Sequence, residues 1–262
     1  LPAQGFFDTH VHLDEFLPRE RLEEEISLAR RAGVRHFLVP GVSRDNWAAV
    51  LAATDAVEGA WAAPGIHPLA AETWNAAAEK TLEDLLASPK VVAVGEIGLD
   101  NSPGYPPAEI QDLAFRAQLR IAKDRGLPVL VHCRKAWRRA LDILREEQAE
   151  SRGGILHAFS ASRDIAREAI DMNFAIGIGG PVTYPNARRI LEVVEGMPEQ
   201  WLVLETDAPD MPPHPHRGEI NRPLRLRLIA EKVAEIRGWS LDQVMDITMR
   251  NALRIFQLES ND

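Results

Sequence analysis

Eight short apolar runs, each followed by a stretch with helical spacing, set the tightest limit on what this chain can fold into. The runs cover residues 5–12, 34–41, 60–67, 91–99, 128–133, 154–159, 174–180 and 202–207. Residues 20–32, 45–57, 76–87, 107–125, 135–148, 162–171, 186–195 and 221–236 carry amphipathic spacing and charge. Apolar runs bounded by turns and alternating with helices predict parallel strands in βα units. Eight such units in a row predict an α/β fold of the closed TIM (β/α)8 barrel type rather than an open sheet. The 262 residues match the roughly 250 that such a barrel takes. A further helix over 240–256 opens at Ser240, with Leu241, Val244, Ile247 and Leu253 spaced for one buried face. No repeat, low-complexity tract or linker breaks the pattern, so one domain over 1–262 is expected. The proline-rich stretch 209–215 then reads as a loop over the site.

Composition narrows the partners. A net charge of −9 argues against a broad nucleic-acid-binding face, because such faces are basic. It does not exclude nucleic acid as substrate, since bound metal would supply local positive charge. Cys133 is the one cysteine, so no internal disulfide forms. No apolar stretch approaches the ~20 residues that cross a bilayer, and the sequence from Leu1 lacks the basic-then-apolar pattern of a leader. A cytoplasmic protein with no membrane contact and no obligate protein partner is expected.

Reactive groups of such barrels gather at the carboxyl ends of the strands. The runs end in Asp8-Thr9-His10-Val11-His12, Gly65-Ile66-His67, Gly95-Glu96-Ile97-Gly98, Val131-His132-Cys133-Arg134, Leu156-His157-Ala158-Phe159 and Glu205-Thr206-Asp207. Five of the eight histidines lie at these ends; His36 falls inside the second run and His214 and His216 in the late loop. Strand alternation puts His10 and His12 on one face, spaced to share a metal ion, with Asp8 one step deeper. The alternative is a pair of hydrogen-bonded structural histidines. Glu96 is a lone carboxylate in an apolar run, costly unless paired with an arginine or bound to a cation. The glycines beside it leave room close to the backbone. His132 and His157 each close an apolar strand, a place where a single histidine is more often structural. Asp207 at the last strand end can coordinate metal and take a proton from an attacking water, which makes Asp207 and Glu96 the candidate catalytic residues.

With these residues in hand, the sequence resembles the TatD family of metal-dependent hydrolases and deoxyribonucleases, within the amidohydrolase superfamily. The matching stretches are FFDTHVHLD (6–14), VGEIGLD (94–100), LPVLVHCRKAW (127–137), LHAFSAS (156–162) and LETDAPDMP (204–212). GIGGPVTYPNAR (177–188) and GEINRP (218–223) are similar to the branch containing the bacterial YjjV proteins. The resemblance implies two divalent cations. His10, His12 and Asp207 would hold one, His132 and His157 the other, and Glu96 would bridge them. Ligand chemistry leaves Zn, Mn and Mg open. The departure from the family comes after Asp100, where relatives often continue with aromatic residues and this chain has Asn101-Ser102-Pro103-Gly104-Tyr105.

Substrate contacts are expected from His67, where relatives also carry His, and from Arg134, which shares strand parity with His132. A structural His67, and an Arg134 that merely opens a solvated helix with Lys135, Arg138 and Arg139, are the alternatives. His214, His216, Arg217 and Arg222 are further candidates from the late loop. Asp8 is expected to orient a ligand histidine, and Cys133 to face the helical layer. The function expected is a metal-dependent hydrolase cleaving DNA phosphodiester bonds from the 3′ end, through a metal-activated water with Asp207 as proton acceptor. The alternative is a hydrolase of small phosphoesters or other esters and amides on the same centre, left open because no aromatic-basic stripe runs along the sequence. A metal-stabilised scaffold without activity is the third possibility.

Overall fold

Each expected period produces its element in a computed structural model that describes residues 5–258. The strands are β1 (Phe6–Asp8), β2 (Val34–Pro40), β3 (Ala60–Ala63), β4 (Val94–Asp100), β5 (Val129–Arg134), β6 (Gly154–Leu156), β7 (Phe174–Ile178) and β8 (Leu202–Leu204). The helices are α1 (Arg19–Arg31), α2 (Trp47–Ala56), α3 (Ala76–Leu85), α4 (Ala108–Asp124), α5 (Trp137–Glu146), α6 (Arg163–Asp171), α7 (Arg188–Gly196), α8 (Leu226–Arg237) and α9 (Leu241–Phe256). Residues 1–4, the start of the stretch expected to lack a leader, lie outside the described residues. No helix among the described residues is long and apolar enough to cross a membrane.

All strand pairs are parallel, and the ladder falls into two arcs, β1–β2–β3 and β4 through β8 in order. Backbone hydrogen bonds bridge both seams of this (β/α)8 barrel. Val92 N–H donates to Ala62 and Glu96 N–H to Gly41 between the arcs on one side. On the other, Thr9 N–H donates to Leu204 and Asp207 N–H to His10.

Inside the strand ring, Phe7, Leu38, Ala63, Ala93, Leu130, Ile155, Ala175 and Val203 form one apolar layer, a side chain from each strand or its entry. Met249, Ala252, Ile255 and Phe256 of α9 close that layer from below. Of the face expected from the spacing, Val244 and Ile247 are buried, while Leu241 and Leu253 are half-buried against the core. Ser240 caps α9 together with Gln243 in a reciprocal pair of hydrogen bonds. Side chains of opposite parity, such as Phe6, Val39 and Val131, fill the space between strands and helices. Cys133 joins this outer layer as expected, and burial pushes its thiol up to about 12. His36 is buried against the rings of Phe7 and Trp61.

Two residues beyond the apolar layer, alternation points inward again, and there the sequence places His132, His157 and Glu205. The polar floor of the mouth is thus the next storey of the barrel.

Candidate metal centre

Glu96 stands at the middle of the mouth, buried, with its two oxygens facing opposite groups. Oε2 lies 3.4 Å from His10 Nε2, while Oε1 lies 2.8 Å from His132 Nδ1, 3.7 Å from His157 Nε2 and 3.8 Å from His67 Nε2. Asp207 Oδ1 closes the first group at 3.6 Å from both His10 Nε2 and His12 Nε2, and reaches His157 Nε2 at 3.8 Å. The His10 and His157 rings stack at 3.5 Å. No arginine appears among these partners of Glu96; imidazoles surround it. All six side chains expected as ligands converge here, although they come from β1, β4, β5, β6 and β8 or the turns after them.

Alternation alone does not aim these groups. β1 ends at Asp8, and the chain beyond it bonds to both sides, Val11 N–H donating to Leu38 of β2 while Thr9 and His10 exchange hydrogen bonds with the end of β8. Asp207 takes a left-handed φ of 57°, a conformation that Asp tolerates better than most residues and that turns its carboxylate across to His10 and His12. Asp8 does not orient a ring. Its carboxylate accepts from Thr206 N at 2.8 Å, Thr206 Oγ1 at 2.5 Å and His10 N at 3.4 Å, clamping β1 to β8 by their backbones. Burial lifts its carboxyl to about 8 in spite of those bonds. The glycines around Glu96 do leave room close to the backbone, and the neighbouring strand takes it: a Cβ on Gly98, at φ +143°, would overlap the His132 carbonyl oxygen, and one on Gly95 would stand 2.6 Å from Leu130 Cβ.

Two carboxylates that sequence reasoning left without a role complete the ring. Asp100 Oδ2 lies 3.0 Å from His132 Nε2, and Glu205 Oε1 lies 3.1 Å from His157 Nδ1 while accepting Ala158 N–H at 2.6 Å. A Cβ on Gly177 would overlap the Glu205 carboxylate, so this glycine keeps its place open. The signal was faint but present: both acids sit in the strand-end motifs GLD and LETD.

Charge in the cluster is strongly coupled. Burial opposes ionisation of Glu96, yet the His67, His10 and His157 imidazoles hold it well below the usual carboxylate range. Burial also disfavours charged imidazoles, but Asp207 lifts His12 to about 9. Asp100 and Glu96 lift His132 to about 9, and Glu205, Asp207 and Glu96 lift His157 to about 10. His67 behaves differently. Burial drives it down to about 4, and its Nδ1 accepts Leu69 N–H at 3.1 Å. The ring is therefore neutral with its proton on Nε2, pointing a donor toward Glu96. Distance alone groups His67 with Glu96 and His132 as a possible ion site, but a protonated Nε2 offers no lone pair.

The cluster suits a cation. His10 is fully buried, and neither of its ring nitrogens has a hydrogen-bond partner. Its 3.4 and 3.6 Å separations from carboxylate oxygens are long for hydrogen bonds. Two ligand atoms about 2.1 Å from one tetrahedral ion stand about 3.4 Å apart, which is the spacing found here. His10, His12 and Glu96 thus form a group that can hold a divalent ion.

The remaining candidates lie further out. Arg134 ends β5 and is exposed, while Arg138 and Arg139 are occupied by Glu168 and Asp112. His216 Nδ1 pairs with Glu219 at 3.2 Å, and Arg222 Nε with Glu25 of α1 at 2.9 Å.

Known proteins match this chain over nearly its whole length. The family of TatD related DNases matches residues 7–257. An uncharacterized metal-dependent hydrolase, YabD of Bacillus subtilis (strain 168), is 38% identical over 252 residues, covering 96% of this chain and 99% of that one. The 3'-5' ssDNA/RNA exonuclease TatD of Rahnella sp. (strain Y9602) is 36% identical, over 92% of this chain and 94% of its own. Among solved structures, the YjjV TatD homolog of Escherichia coli K12 superposes with a TM-score of 0.90 at 34% identity, covering 97% of this chain and 98% of the other. An organophosphorus hydrolase from Deinococcus radiodurans, at 15% identity and a TM-score of 0.68, shares the barrel alone. Relatives this similar over nearly their whole length, and a family match that spans every strand-end motif, make this chain a member of the TatD family of metal-dependent hydrolases.

Proposed function

We propose that the chain trims single-stranded nucleic acid from its 3′ end, using two divalent cations that share Glu96. The observation behind this reading is Glu96 itself, one buried carboxylate with four imidazoles within 4 Å, split between its two oxygens. His10, His12 and Asp207 would hold one ion; His132 and His157 would hold the other. Relatives named as 3'-5' ssDNA/RNA exonucleases support the substrate class. When bound, the cations acidify a water and neutralise charge building on a phosphodiester. Asp207, kept ionised by His157, His12 and His10 against the cost of its burial, accepts the proton of the attacking water. His67 donates its Nε2 proton as a hydrogen bond to a phosphate oxygen without adding charge. Asp100 and Glu205 fix the ring orientations of His132 and His157. One domain suffices for this, and no protein partner is needed.

Single strands labelled at the 5′ end test the proposal. Stepwise shortening, stopped by a phosphorothioate block at the 3′ end, is the expected outcome. Rapid internal cutting would contradict the polarity, and turnover of small esters without any shortening would favour a small-ester hydrolase.

Metal uptake carries a proton signature. Without metal, His12, His132 and His157 hold protons at pH 7, because their values are raised to about 9, 9 and 10. A ligand imidazole must give its proton up, so binding is expected to release about one proton or more per ion and to tighten as pH rises toward 9. Calorimetry at pH 7 in two buffers of different ionisation heat reads this directly; equal heats in both would refute it. Asp100→Asn removes the charge behind His132 and is expected to weaken metal binding about 10–100-fold in the same titration.

A further inference from the structure

Loops at the catalytic face differ in charge from one side of the mouth to the other. Those after β1, β2 and β3 carry Asp14, Glu15, Asp45 and Glu72 against Arg44. Around the ends of β5, β7 and β8 stand Arg134, Lys135, Arg188, Arg189 and Arg217, all exposed. Apart from Glu205 and Asp207 of the centre itself, the loops after β5, β7 and β8 carry the acids Asp210 and Glu219, and Glu219 is taken up by Arg225 and His216. Among the described residues, none of the five cations makes an ion pair, whereas Arg116, Arg120, Arg138 and Arg139 on the helical ring are all paired. At physiological salt a charge acts over about 8 Å, so the local sign of the rim, rather than the net −9, decides which side a polyanion meets.

A flat platform stands within the basic side. Tyr184 donates its hydroxyl to Pro212 O at 2.9 Å, and the Arg217 guanidinium lies over its ring at 4.5 Å. The loop after β7 and the loop after β8 are stitched together around it. His214 N–H donates to Thr183 Oγ1 at 2.8 Å, and a Cβ on Gly180 would overlap Met211 O. Tyr184 is therefore a half-buried ring held in place, with a planar cation on its face. Bases stack on aromatic rings and on guanidinium planes alike. An aromatic-basic surface absent as a stripe in the sequence is assembled here from separate loops.

We propose that a single-stranded polynucleotide leaves the metal centre across the β7–β8 side of the mouth, with a base stacked on the Tyr184–Arg217 platform and phosphates beyond it met by Arg188 and Arg189. This rests on the nucleic-acid reading of the centre and extends it to the strand outside the pocket. Passage across the opposite rim would set phosphates against Asp14, Glu15, Asp45 and Glu72.

The test uses the full-length, metal-loaded protein and fluorescently labelled oligothymidylates with phosphorothioate links, 2 and 12 nucleotides long in this design (about one and several sites' worth of strand). Anisotropy titrations over a range of salt give Kd without turnover. Tyr184→Ala and Arg217→Ala are each expected to weaken binding of the longer strand about tenfold, with the dinucleotide shifted less than about twofold. Tyr184→Phe keeps the ring and is expected to restore binding. Arg217→Lys is expected to weaken binding but keep the salt slope, since charge remains and the flat stack is lost. The double change Arg188→Ala with Arg189→Ala is expected to lower that slope by about 1.4, at about 0.7 per phosphate contact. Arg44→Ala, on the opposite rim, is expected to change neither quantity. Longer-strand binding indifferent to Tyr184, Arg217 and the arginine pair, or weakened equally by Arg44→Ala, overturns the path. Failure of the nuclease reading shows up separately, as wild-type protein that leaves an ordinary phosphodiester strand uncut.

Discussion

Glu96→Gln is expected to lower turnover at least about a thousandfold while leaving a folded barrel. The amide keeps the shape of the side chain and removes its charge. That charge is present at all working pH, since the His67, His10 and His157 imidazoles hold Glu96 well below the usual carboxylate range despite its burial. No other carboxylate of the mouth faces His10 with one oxygen and His132 with the other. Charge stabilisation of several kcal/mol is what a metal centre of this kind supplies, and each 1.36 kcal/mol is tenfold in rate, so about three decades is a conservative loss. Metal content measured beside kcat separates the causes. Loss of both supports the shared-carboxylate role. A variant that keeps its metal and more than about a tenth of its activity would remove Glu96 from the centre.

The second large effect is on stability. Gly98→Ala places a Cβ onto the His132 carbonyl oxygen at a φ of +143°, which side chains rarely adopt. Gly98 and His132 are register partners in the β4–β5 ladder, so relief requires moving two buried strands. A loss of at least about 3 kcal/mol is expected, near the upper end of single substitutions. For a chain of this size that is a fall in Tm of about 6–12 °C. Gly104→Ala serves as the comparison: its φ is +91°, but nothing lies within 4 Å, so it bears only the backbone term of about 1 kcal/mol. If the Gly98→Ala protein melts within 2 °C of the wild type, with 2 °C about the scatter of such melts, the close approach of β4 and β5 is wrong.

Much of the barrel was legible because each element carries its own period, and the TatD-like motifs fell at the ends of the apolar runs. The strand ends were not legible. The run 5–12 contains a strand only over Phe6–Asp8; beyond it Thr9 and His10 bond across to Leu204 and Asp207, a contact between residues nearly two hundred positions apart. The same distance hid the work of Asp8, which holds two backbones together. Asp100 and Glu205 meet histidines of other strands, His132 across the β4–β5 ladder and His157 on the far side of β7. His67 shows the limit from another side. Its place at the centre follows from its strand, but its role as a donor depends on Leu69 N–H fixing the tautomer. Arg222 and His216 share a loop with Asp207 in the sequence, and in the fold they are engaged by Glu25 and Glu219.

The division of the sheet into two arcs has a mechanical consequence. His10 and His12 follow β1 on one arc, while Glu96, His132, His157 and Asp207 belong to the other. On the proposed assignment, a cation gripped by His10, Glu96 and Asp207 rivets the halves together at the joint where their ladders stop. Widening the barrel and emptying the centre then become one motion, and chelation would slacken the cylinder as well as silence it.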